Sequence, residues 1–356
     1  MKRPLVMQVL WSLGRAGAER MVLDLSVLLK KKGFRVVVIA AGGGGEMERD
    51  FKQAGLETVI GPAVSSWRRL STQNFLKKQI TYFNPDLVHA HLSEIWVSRA
   101  LQSLKSKTPW IVTAHNDDRD DPWLHHIARG KAFRQAKRVV CVSEAVERYI
   151  KAEFHVPANH VSVIRNGIDL NMPIPRLGRS FHRPARFITI GRLTAQKDHA
   201  TLFSALHQIK TPWILDVLGS GPAAAKLKQL AHELDLDAKI HFWGTVTDVN
   251  ERLAAADVFC FPSRWEGQGM ALLEAAAAGV PIIASDLPVF HEAFDAASIT
   301  FAPAGDPNKW AKTILNILRS SRLALNKAEK AKKIVQKKFD QKIMARTYAD
   351  LYKTLL

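Results

Sequence analysis

Four charged side chains in the second half of the sequence have types and spacings that suit a phosphorylated ligand. Arg192 and Lys197 follow the apolar run RFITIGRL and lie five residues apart. Fixed cations at such a turn neutralise a diphosphate and stabilise the charge on a leaving phosphate, although two solvated surface cations would show the same spacing. Glu266 and Glu274 lie eight residues apart in SRWEGQGMALLEAAAAG. A carboxylate only accepts hydrogen bonds, which suits the vicinal hydroxyls of a sugar or ribose.

The segment that holds both carboxylates also contains a glycine turn. Gly267 and Gly269 allow the backbone to approach a ligand closely, and the Gln268 amide between them both donates and accepts hydrogen bonds. The apolar sequence that follows predicts a helix from Met270 to Ala278. The free amides and the dipole at the start of a helix favour a phosphate, so this turn is a predicted anion site.

Glycines and histidines are the candidates in the first half. LWSLGRAGAER places Gly14 and Gly17 between a predicted strand and a helix, although glycines there often only close a turn. His115 ends the predicted strand in VTAHND, where hydrogen bonds to nearby backbone would also explain a histidine. Alternation puts His89 and His91 of DLVHAHLS on one face. No carboxylate or cysteine set accompanies them, so a zinc site is not expected.

These candidates follow strands in a repeating pattern of strand and helix. RVVVIAAG, DLVHAH and RVVCVS alternate with helices in the first half, the first helix running from about Ala16 to Lys32. RFITIGRL, WILDVLGSG, VFCFPS and PIIAS alternate with helices in the second half, one of them from His199 to Ile209. Continuous apolar strands separated by helices indicate parallel sheets covered on both faces. The pattern predicts two doubly wound α/β domains, which bind ligands beyond the carboxyl ends of their strands.

The predicted domain boundary lies in a proline-rich stretch, NMPIPRLGRSFHRP, at residues 171–184. A chain of 356 residues exceeds the size of most single cores, so two domains are expected, at residues 1–172 and 183–339. The basic C-terminal stretch FDQKIMARTYADLYKTLL has apolar residues at helical spacing, which is typical of an amphipathic surface helix.

Composition and charge narrow the class of protein. The 47% apolar and 24% charged residues are those of an ordinary globular protein, and a net charge of +18 attracts phosphates, nucleic acids or anionic lipids. Cys141 and Cys260 lie in apolar runs typical of buried strands, and without a disulfide framework a reducing cytoplasm is expected. No apolar run reaches the roughly 18 residues of a transmembrane helix. We expect a cytoplasmic protein, soluble or peripheral on the inner face of the membrane, without a signal peptide.

Taken together, the motifs resemble the retaining glycosyltransferases of family 4, also called group 1, which have the GT-B fold of two Rossmann-like domains with an interdomain cleft. The resemblance covers nearly the whole chain through LGRAGAER, PDLVHAH, TAHN, VIRNGID, GRLTAQKD and PSRWEGQGMALLEAAAAGVPIIASD. The last two motifs, in this order and spacing, are specific, and the others are supportive. The resemblance implies transfer of a sugar from a nucleotide-sugar donor, with UDP as the first expectation, to a lipid-linked or saccharide acceptor in cell-surface polysaccharide or glycolipid biosynthesis.

The resemblance also implies a role for each motif residue of the second half. Arg192 and Lys197 would bind the donor diphosphate, and Glu274 would bind the ribose hydroxyls. Glu266 would contact the transferred sugar together with backbone amides from Gly267 to Met270. No metal and no separate cofactor is required, because the leaving phosphate is thought to assist attack on the same face of the sugar.

In the first half, the resemblance implies that Gly17 approaches the phosphates and that His115 contacts the donor sugar near the reacting carbon. His115 therefore joins the two cations and Glu266 in the expected catalytic set. The C-terminal helix, at about residues 340–356, would cross back onto the N-terminal domain. In one departure, Gln268 stands where the family often has an aromatic residue, and it is expected to influence donor choice.

A basic and apolar segment at residues 65–80, SSWRRLSTQNFLKKQI, predicts contact with an anionic membrane surface. Its apolar residues would enter the interface and its cations would meet headgroups: Trp67, Leu70, Phe75 and Ile80 with Arg68, Arg69, Lys77 and Lys78. A surface helix with one side facing the core explains the same pattern.

Three alternatives to a glycosyltransferase remain open. A nucleic-acid-binding protein would use the positive charge, but the chain lacks a recognisable reading motif, so no nucleic acid is expected. A GT-B nucleotide-sugar epimerase would bind the same donor without an acceptor. A degenerate sugar-binding scaffold is disfavoured because all four central charged residues are present.

Overall fold

A computed structural model describes residues 3–63, 69–116, 122–171 and 180–356. The chain forms two compact units, Met1–Gly167 with Gln341–Leu356 and Ile168–Asp340. The second unit therefore begins before the proline-rich stretch. The reason is a backbone pairing, because Ile168 forms a parallel bridge with Asp340 and its N–H donates to the carbonyl of Phe339 at 2.8 Å. Residues 172–179 of the predicted linker lie outside the described residues.

The first unit contains a parallel sheet with the strand order β3-β2-β1-β4-β5-β6-β7 in the described part of the chain. Its strands are β1 Leu5–Leu10, β2 Arg35–Ala40, β3 Glu57–Ile60, β4 Leu87–His91, β5 Trp110–Ala114, β6 Arg138–Cys141 and β7 Val161–Val163. Its first six helices are α1 Gly17–Lys31, α2 Glu48–Gln53, α3 Arg69–Phe83, α4 Glu94–Ser103, α5 Trp123–Gln135 and α6 Glu144–Phe154. The predicted first helix is confirmed within one residue at each end. The edge strand β3 was not predicted, because ETVI is short and partly polar.

The second unit repeats this architecture with the strand order β10-β9-β8-β11-β12-β13, all pairs being parallel. Its strands are β8 Ala185–Ile190, β9 Trp213–Leu218, β10 Ile240–Gly244, β11 Val258–Phe261, β12 Ile282–Ser285 and β13 Thr300–Ala302. Its helices are α7 His199–His207, α8 Ala224–Glu233, α9 Val249–Ala255, α10 Met270–Ala277, α11 Pro288–His291, α12 Pro307–Arg319 and α13 Ser321–Lys338. The fold class predicted from the sequence, two doubly wound α/β domains, is confirmed.

The last helix, α14 (Gln341–Lys353), belongs to the first unit and packs against α1. Its apolar stripe includes Met344, Tyr348 and Tyr352, and the two tyrosines are fully buried. The Tyr352 ring meets the Phe34 ring edge to face at 5.9 Å. One face of this amphipathic helix is thus part of the core rather than a solvated surface.

Strand order locates the place where each sheet can bind a ligand. The direction of winding reverses between β1 and β4 in the first sheet and between β8 and β11 in the second. Loops after such a strand pair lead to opposite faces and leave a crevice at the carboxyl ends.

Cys141 and Cys260 lie inside the two sheets as predicted, and burial raises the pKa of both thiols.

Candidate functional site

Two loops of the second unit, residues 191–198 after β8 and residues 262–269 after β11, are joined by backbone and side-chain hydrogen bonds. The Arg264 N–H donates to the Gln196 carbonyl at 2.8 Å. The Gln196 side-chain amide donates to the Trp265 carbonyl at 2.9 Å. Because β8 and β11 are neighbours in the sheet, the motifs GRLTAQKD and PSRWEGQG form one surface at its carboxyl edge.

The central charged pair of this surface is Lys197 with Glu266. The Lys197 ammonium contacts Glu266 Oε1, and the Ser263 hydroxyl donates to the same oxygen at 2.7 Å. The Lys197 ammonium also lies 4.9 Å from the centre of the Phe261 ring. Only 17% of the Lys197 side chain and 7% of the Glu266 side chain are exposed. The interpretation of these two residues as solvated surface charges is therefore wrong.

Arg192 differs from Lys197 and Arg264 because it has no ion-pair partner among the described residues, and its side chain is exposed. Arg264 pairs through Nε with Asp198 Oδ2 at 3.0 Å, and Thr201 donates to the same oxygen at 2.8 Å. Asp198 has a φ of +45°, a left-handed conformation that a short polar residue tolerates. The sequence prediction missed Asp198 and Arg264, although both lie within the two specific motifs.

Two glycines after β9 support the 191–198 loop and were not predicted. A Cβ on Gly219 would lie 2.1 Å from the Gly191 carbonyl oxygen, and Gly219 has a φ of +126°. A Cβ on Gly221 would lie 2.4 Å from the Leu193 carbonyl oxygen. The signal was present in the sequence as GSG at the end of a predicted strand. Backbone of the β9 turn thus lies directly against the loop that contains Arg192.

The predicted anion site at the start of α10 depends on Gly269. This residue has a φ of +82°, and a Cβ there would lie 2.9 Å from the Phe290 ring. The N–H groups of Leu272 and Leu273 bond to the Gly269 carbonyl, and helix geometry leaves those of Met270 and Ala271 without an intrahelical acceptor. The helix start is therefore placed to donate to an anion.

The remaining predicted residues of the second unit lie around this helix start. Gly267 is buried, whereas Gln268 and Met270 are partly exposed. Glu274 lies one turn into α10 and is also partly exposed. Both glutamates thus belong to one structural element, the turn and helix after β11.

In the first unit, Gly17 is the first residue of α1, at the carboxyl edge of the sheet. The loop before α1 is held by the segment after β2, which contains the four glycines at 42–45. In this contact the Met47 N–H donates to the Leu13 carbonyl at 2.9 Å. A Cβ on Gly45 would lie 2.3 Å from the same carbonyl oxygen. At Gly14, the nearest atom to a Cβ is 3.9 Å away. The close backbone contact therefore requires Gly45, which the sequence prediction missed, rather than Gly14.

His115 follows β5, and its Nε2 lies 3.1 Å from His91 Nδ1. His91 Nε2 lies 2.8 Å from Gln8 Oε1. His89 and His91 share a face as predicted, with ring centres 3.9 Å apart. Among the residues that the structure describes, the hydrogen-bond partner of His115 is thus a histidine side chain rather than nearby backbone.

Burial determines the charge of these imidazoles. It lowers the pKa of His115 to about 4. Burial, together with repulsion from neighbouring imidazoles, lowers the pKa of His89 and His91 well below its usual value. All three rings are therefore neutral near pH 7.

The membrane segment predicted at residues 65–80 lies partly outside the described residues, which include neither Trp67 nor Arg68. Within α3, Leu70 is 76% exposed, but Ile80 is buried and Phe75 packs against the core. The prediction that Phe75 and Ile80 enter a membrane interface is therefore wrong, because both anchor α3 to the sheet. None of the helices in the described ranges has the length and apolar character needed to cross a membrane.

A group of three apolar side chains on α5, each more exposed than Phe75 and Ile80 of α3, was not predicted. Trp123, Leu124 and Ile127 are 70%, 62% and 57% exposed. Trp123, Ile127 and the exposed Lys131 are spaced four residues apart, so they line one face of the helix. This face combines an apolar stripe with a cation at its end.

Two family models match the chain in succession. "Glycosyltransferase Family 4" matches residues 15–172, and "Glycosyl transferases group 1" matches residues 176–337. The chain belongs to this glycosyltransferase family. The resemblance inferred from the motifs is thus confirmed.

A likeness to solved structures covers almost the whole chain. The crystal structure of Anabaena Alr3699/HepE in complex with UDP and glucose superposes with a TM-score of 0.87, covering 99% of this chain and 100% of that one. The two sequences are 17% identical, so this likeness concerns the fold alone. The expected GT-B fold is confirmed.

Curated relatives include the O-antigen biosynthesis glycosyltransferase WclY of Escherichia coli, 26% identical over 61% of this chain and 62% of that protein. A second Escherichia coli relative is UDP-Gal:alpha-D-GlcNAc-diphosphoundecaprenol alpha-1,3-galactosyltransferase, 25% identical over 61% of both chains. The chain thus matches about three-fifths of the length of these relatives.

Proposed function

We propose that this family 4 protein transfers a sugar, with retention of configuration, from a UDP-sugar to a lipid-linked or saccharide acceptor in cell-surface polysaccharide biosynthesis. The observation that carries the proposal is the joined surface of the second unit. It brings the exposed Arg192, the pair of Lys197 with Glu266 and the α10 helix start to one sheet edge. UDP and glucose in the Anabaena structure, and the UDP-Gal and diphosphoundecaprenol in the name of the Escherichia coli relative, support the choice of donor and acceptor.

The donor diphosphate would lie between Arg192 and the start of α10. Arg192 supplies a guanidinium that has no ion-pair partner in the described part of the chain, and the amides of Met270 and Ala271 add donors. Lys197 has three N–H donors, of which one suffices for Glu266. Glu274, one turn into the helix, would accept from the ribose hydroxyls.

Glu266 would hold the transferred sugar through its second carboxylate oxygen. Lys197 and Ser263 both bind Oε1, which leaves Oε2 as the acceptor for a sugar hydroxyl. Lys197 and Ser263 also fix the orientation of the carboxylate. This arrangement suits a positioning role, and the leaving phosphate, rather than a second carboxylate, would guide attack on the same face of the sugar.

Donor binding is the first test, measured by calorimetry with UDP. Glu274→Gln should weaken binding by roughly 10- to 150-fold, the loss expected for a charge-assisted hydrogen bond of about 1.5 to 3 kcal/mol. Glu251→Gln, at an exposed carboxylate on α9 of the same unit, is the matched control and should bind like the wild type. Equal affinities in all three proteins would remove the ribose role of Glu274.

Product analysis distinguishes the transferase from an epimerase. A transferase releases UDP from UDP-sugar only when an acceptor such as a polyprenyl-diphosphate saccharide is present, whereas an epimerase converts the donor alone. Because protein cations would neutralise the diphosphate, transfer should also continue in EDTA. An epimerised sugar without acceptor, or activity restored only by a divalent cation, would contradict the proposal.

The exposed face of α5 is the proposed site of contact with an anionic membrane. Trp123 and Ile127 would enter the interface while Lys131 meets headgroups, a cation near the surface contributing about 1 kcal/mol. The expected result is co-sedimentation with vesicles that contain phosphatidylglycerol, weaker binding at high salt, and loss in the double variant Trp123→Ser, Ile127→Ser. Trp243→Ser, at a half-exposed tryptophan of the second unit, is the control. Equal binding to neutral vesicles would favour a soluble acceptor.

A further inference from the structure

A chain of hydrogen bonds runs through the first unit from His115 to the C-terminal helix. His115 Nε2 lies 3.1 Å from His91 Nδ1, and His91 Nε2 lies 2.8 Å from Gln8 Oε1. Gln8 Nε2 donates to the Tyr352 hydroxyl at 3.2 Å. Gln8, His91 and Tyr352 are completely buried. Three hydrogen bonds therefore connect the candidate sugar contact with a tyrosine on α14.

The chain of hydrogen bonds continues beyond Tyr352 along the sheet. The Tyr352 hydroxyl lies 2.6 Å from His89 Nδ1, and His89 Nε2 lies 2.7 Å from the Thr113 hydroxyl. The Thr113 hydroxyl lies 2.9 Å from that of Tyr348. Every ring nitrogen of His89 and His91 is thus engaged within the protein.

Neutral imidazoles make such a chain directional. A neutral ring has one N–H donor and one lone-pair acceptor, so the bond made by one nitrogen determines the role of the other. Burial keeps His91 and His115 neutral by lowering the pKa of both rings. The tautomer of each ring therefore depends on its neighbour.

Gln8 determines which atom donates and which accepts in each hydrogen bond from His91 to His115. Its Oε1 only accepts, so His91 Nε2 carries the proton and His91 Nδ1 is the acceptor. His115 Nε2 must then donate to His91, which leaves a lone pair on His115 Nδ1. No hydrogen bond within the described ranges uses this Nδ1. Tyr352 gives its own proton to His89 Nδ1 and therefore accepts from Gln8 Nε2, which holds the Gln8 amide in the required orientation.

We propose that Tyr352, acting through Gln8 and His91, is a positioning residue that holds His115 in the Nε2–H tautomer, with the Nδ1 lone pair accepting a hydrogen bond from a sugar hydroxyl of the ligand. The identification of the ligand as a sugar rests on the proposed function, whereas the tautomer of His115 follows from the chain of hydrogen bonds alone. The C-terminal helix thereby acquires a role in the chemistry of the site as well as in the core.

Long-range proton–nitrogen NMR of the full chain with nitrogen-15 histidine, at neutral pH, tests the tautomer directly. The His115 signals are identified by their loss in His115→Asn. We expect a pyrrole-type shift for Nε2 and a pyridine-type shift for Nδ1. The opposite pattern in the wild-type protein would overturn the proposal without the need for any variant.

Two hydroxyl deletions on α14, Tyr352→Phe and Tyr348→Phe, distinguish a positioning role from a merely structural one, and Gln8→Leu on β1 is a second test. Tyr352→Phe removes the hydroxyl that orients Gln8, and Gln8→Leu removes the amide itself. In both variants the two His115 nitrogen shifts should move toward each other as the second tautomer becomes populated. Tyr348→Phe removes an equally buried hydroxyl that is three bonds further along the chain, so the wild-type pattern should persist. Wild-type shifts in both Tyr352→Phe and Gln8→Leu would contradict the proposal.

Calorimetry with UDP-glucose and with UDP tests the contact to the sugar. Tyr352→Phe should weaken UDP-glucose binding by about 3- to 10-fold, as expected for one impaired neutral hydrogen bond, and leave UDP binding unchanged. Equal weakening of both ligands would indicate a general structural effect and overturn the positioning role. Failure of the wild-type protein to bind either ligand would contradict the proposed function, and the NMR result would still decide the tautomer.

Discussion

The ammonium of Lys197 and the carboxylate of Glu266 form an ion pair at the carboxyl edge of the second sheet, with Ser263 donating to the same carboxylate oxygen. The pair joins the loop after β8 to the loop after β11. Both side chains are largely withdrawn from water, so neither charge is freely solvated. The pair therefore holds the surface together as well as presenting charge to a ligand.

Removing one member of this pair should destabilise the second unit. Lys197→Met or Glu266→Gln leaves the other group buried without its partner, at a cost of about 1 to 3 kcal/mol. The double variant should lose less than the sum, with a coupling of at least about 1 kcal/mol in urea unfolding. The more exposed pair Arg252 with Asp248 is the control, and its coupling should be clearly smaller because solvent screens it. Additive losses at Lys197 and Glu266 would show that the pair contributes nothing.

Arg192→Ala should impair donor binding without affecting stability. The side chain is exposed, so the free energy of unfolding should change by no more than about 0.5 kcal/mol. Loss of its contact with a diphosphate should weaken UDP binding by roughly 10- to 150-fold. Arg186→Ala is the matched control, because Arg186 is exposed near the start of β8, whereas Arg192 follows the end of this strand. Similar UDP affinities in both variants would contradict the role of Arg192.

Gly219→Ala should destabilise the second unit and weaken donor binding together. Its Cβ would overlap the Gly191 carbonyl oxygen, which lies at the start of the loop that contains Arg192. Gly244→Ala is the control for backbone strain alone, because Gly244 has a φ of +66° and nothing lies within 4 Å of its Cβ. Strain alone costs about 1 to 2 kcal/mol, and Gly219→Ala should cost clearly more in thermal unfolding. Equal losses would mean that the β9 turn does not support the loop.

Acidification should weaken the second unit through His199. Burial, and then the charge of Lys197, lowers the pKa of His199 to about 4. The unfolded chain takes up the proton near pH 6.5, so the free energy of unfolding should be constant above about pH 6.5 and fall between about pH 6.5 and 4. His199→Leu should flatten this slope by up to about 1.4 kcal/mol per pH unit. The measurement is urea unfolding across this pH range, and an unchanged slope in the variant would contradict the assignment.

Much of the site was predictable because the informative residues lie close together in sequence. Gly267, Gly269 and Glu274 occupy one turn and one helix, so the motif itself reports their proximity. Gly219 and Gly45 were missed because the carbonyl groups that exclude their side chains belong to other loops. The membrane face was misplaced because the pattern of α3 does not show which apolar side chains pack inward.

The two parallel sheets, the family and the motif residues could all be predicted from local patterns in the sequence. Buried parallel strands are apolar throughout, and this local pattern is visible without any knowledge of the fold. Which polar groups contact one another depends on the folded chain as a whole. Lys197 and Glu266 are 69 residues apart, and Gln8 and Tyr352 are 344 residues apart. Their contacts depend on strand order and on the return of α14 to the first unit, and hydrogen bonds of neutral imidazoles acquire a direction only when every partner is in place.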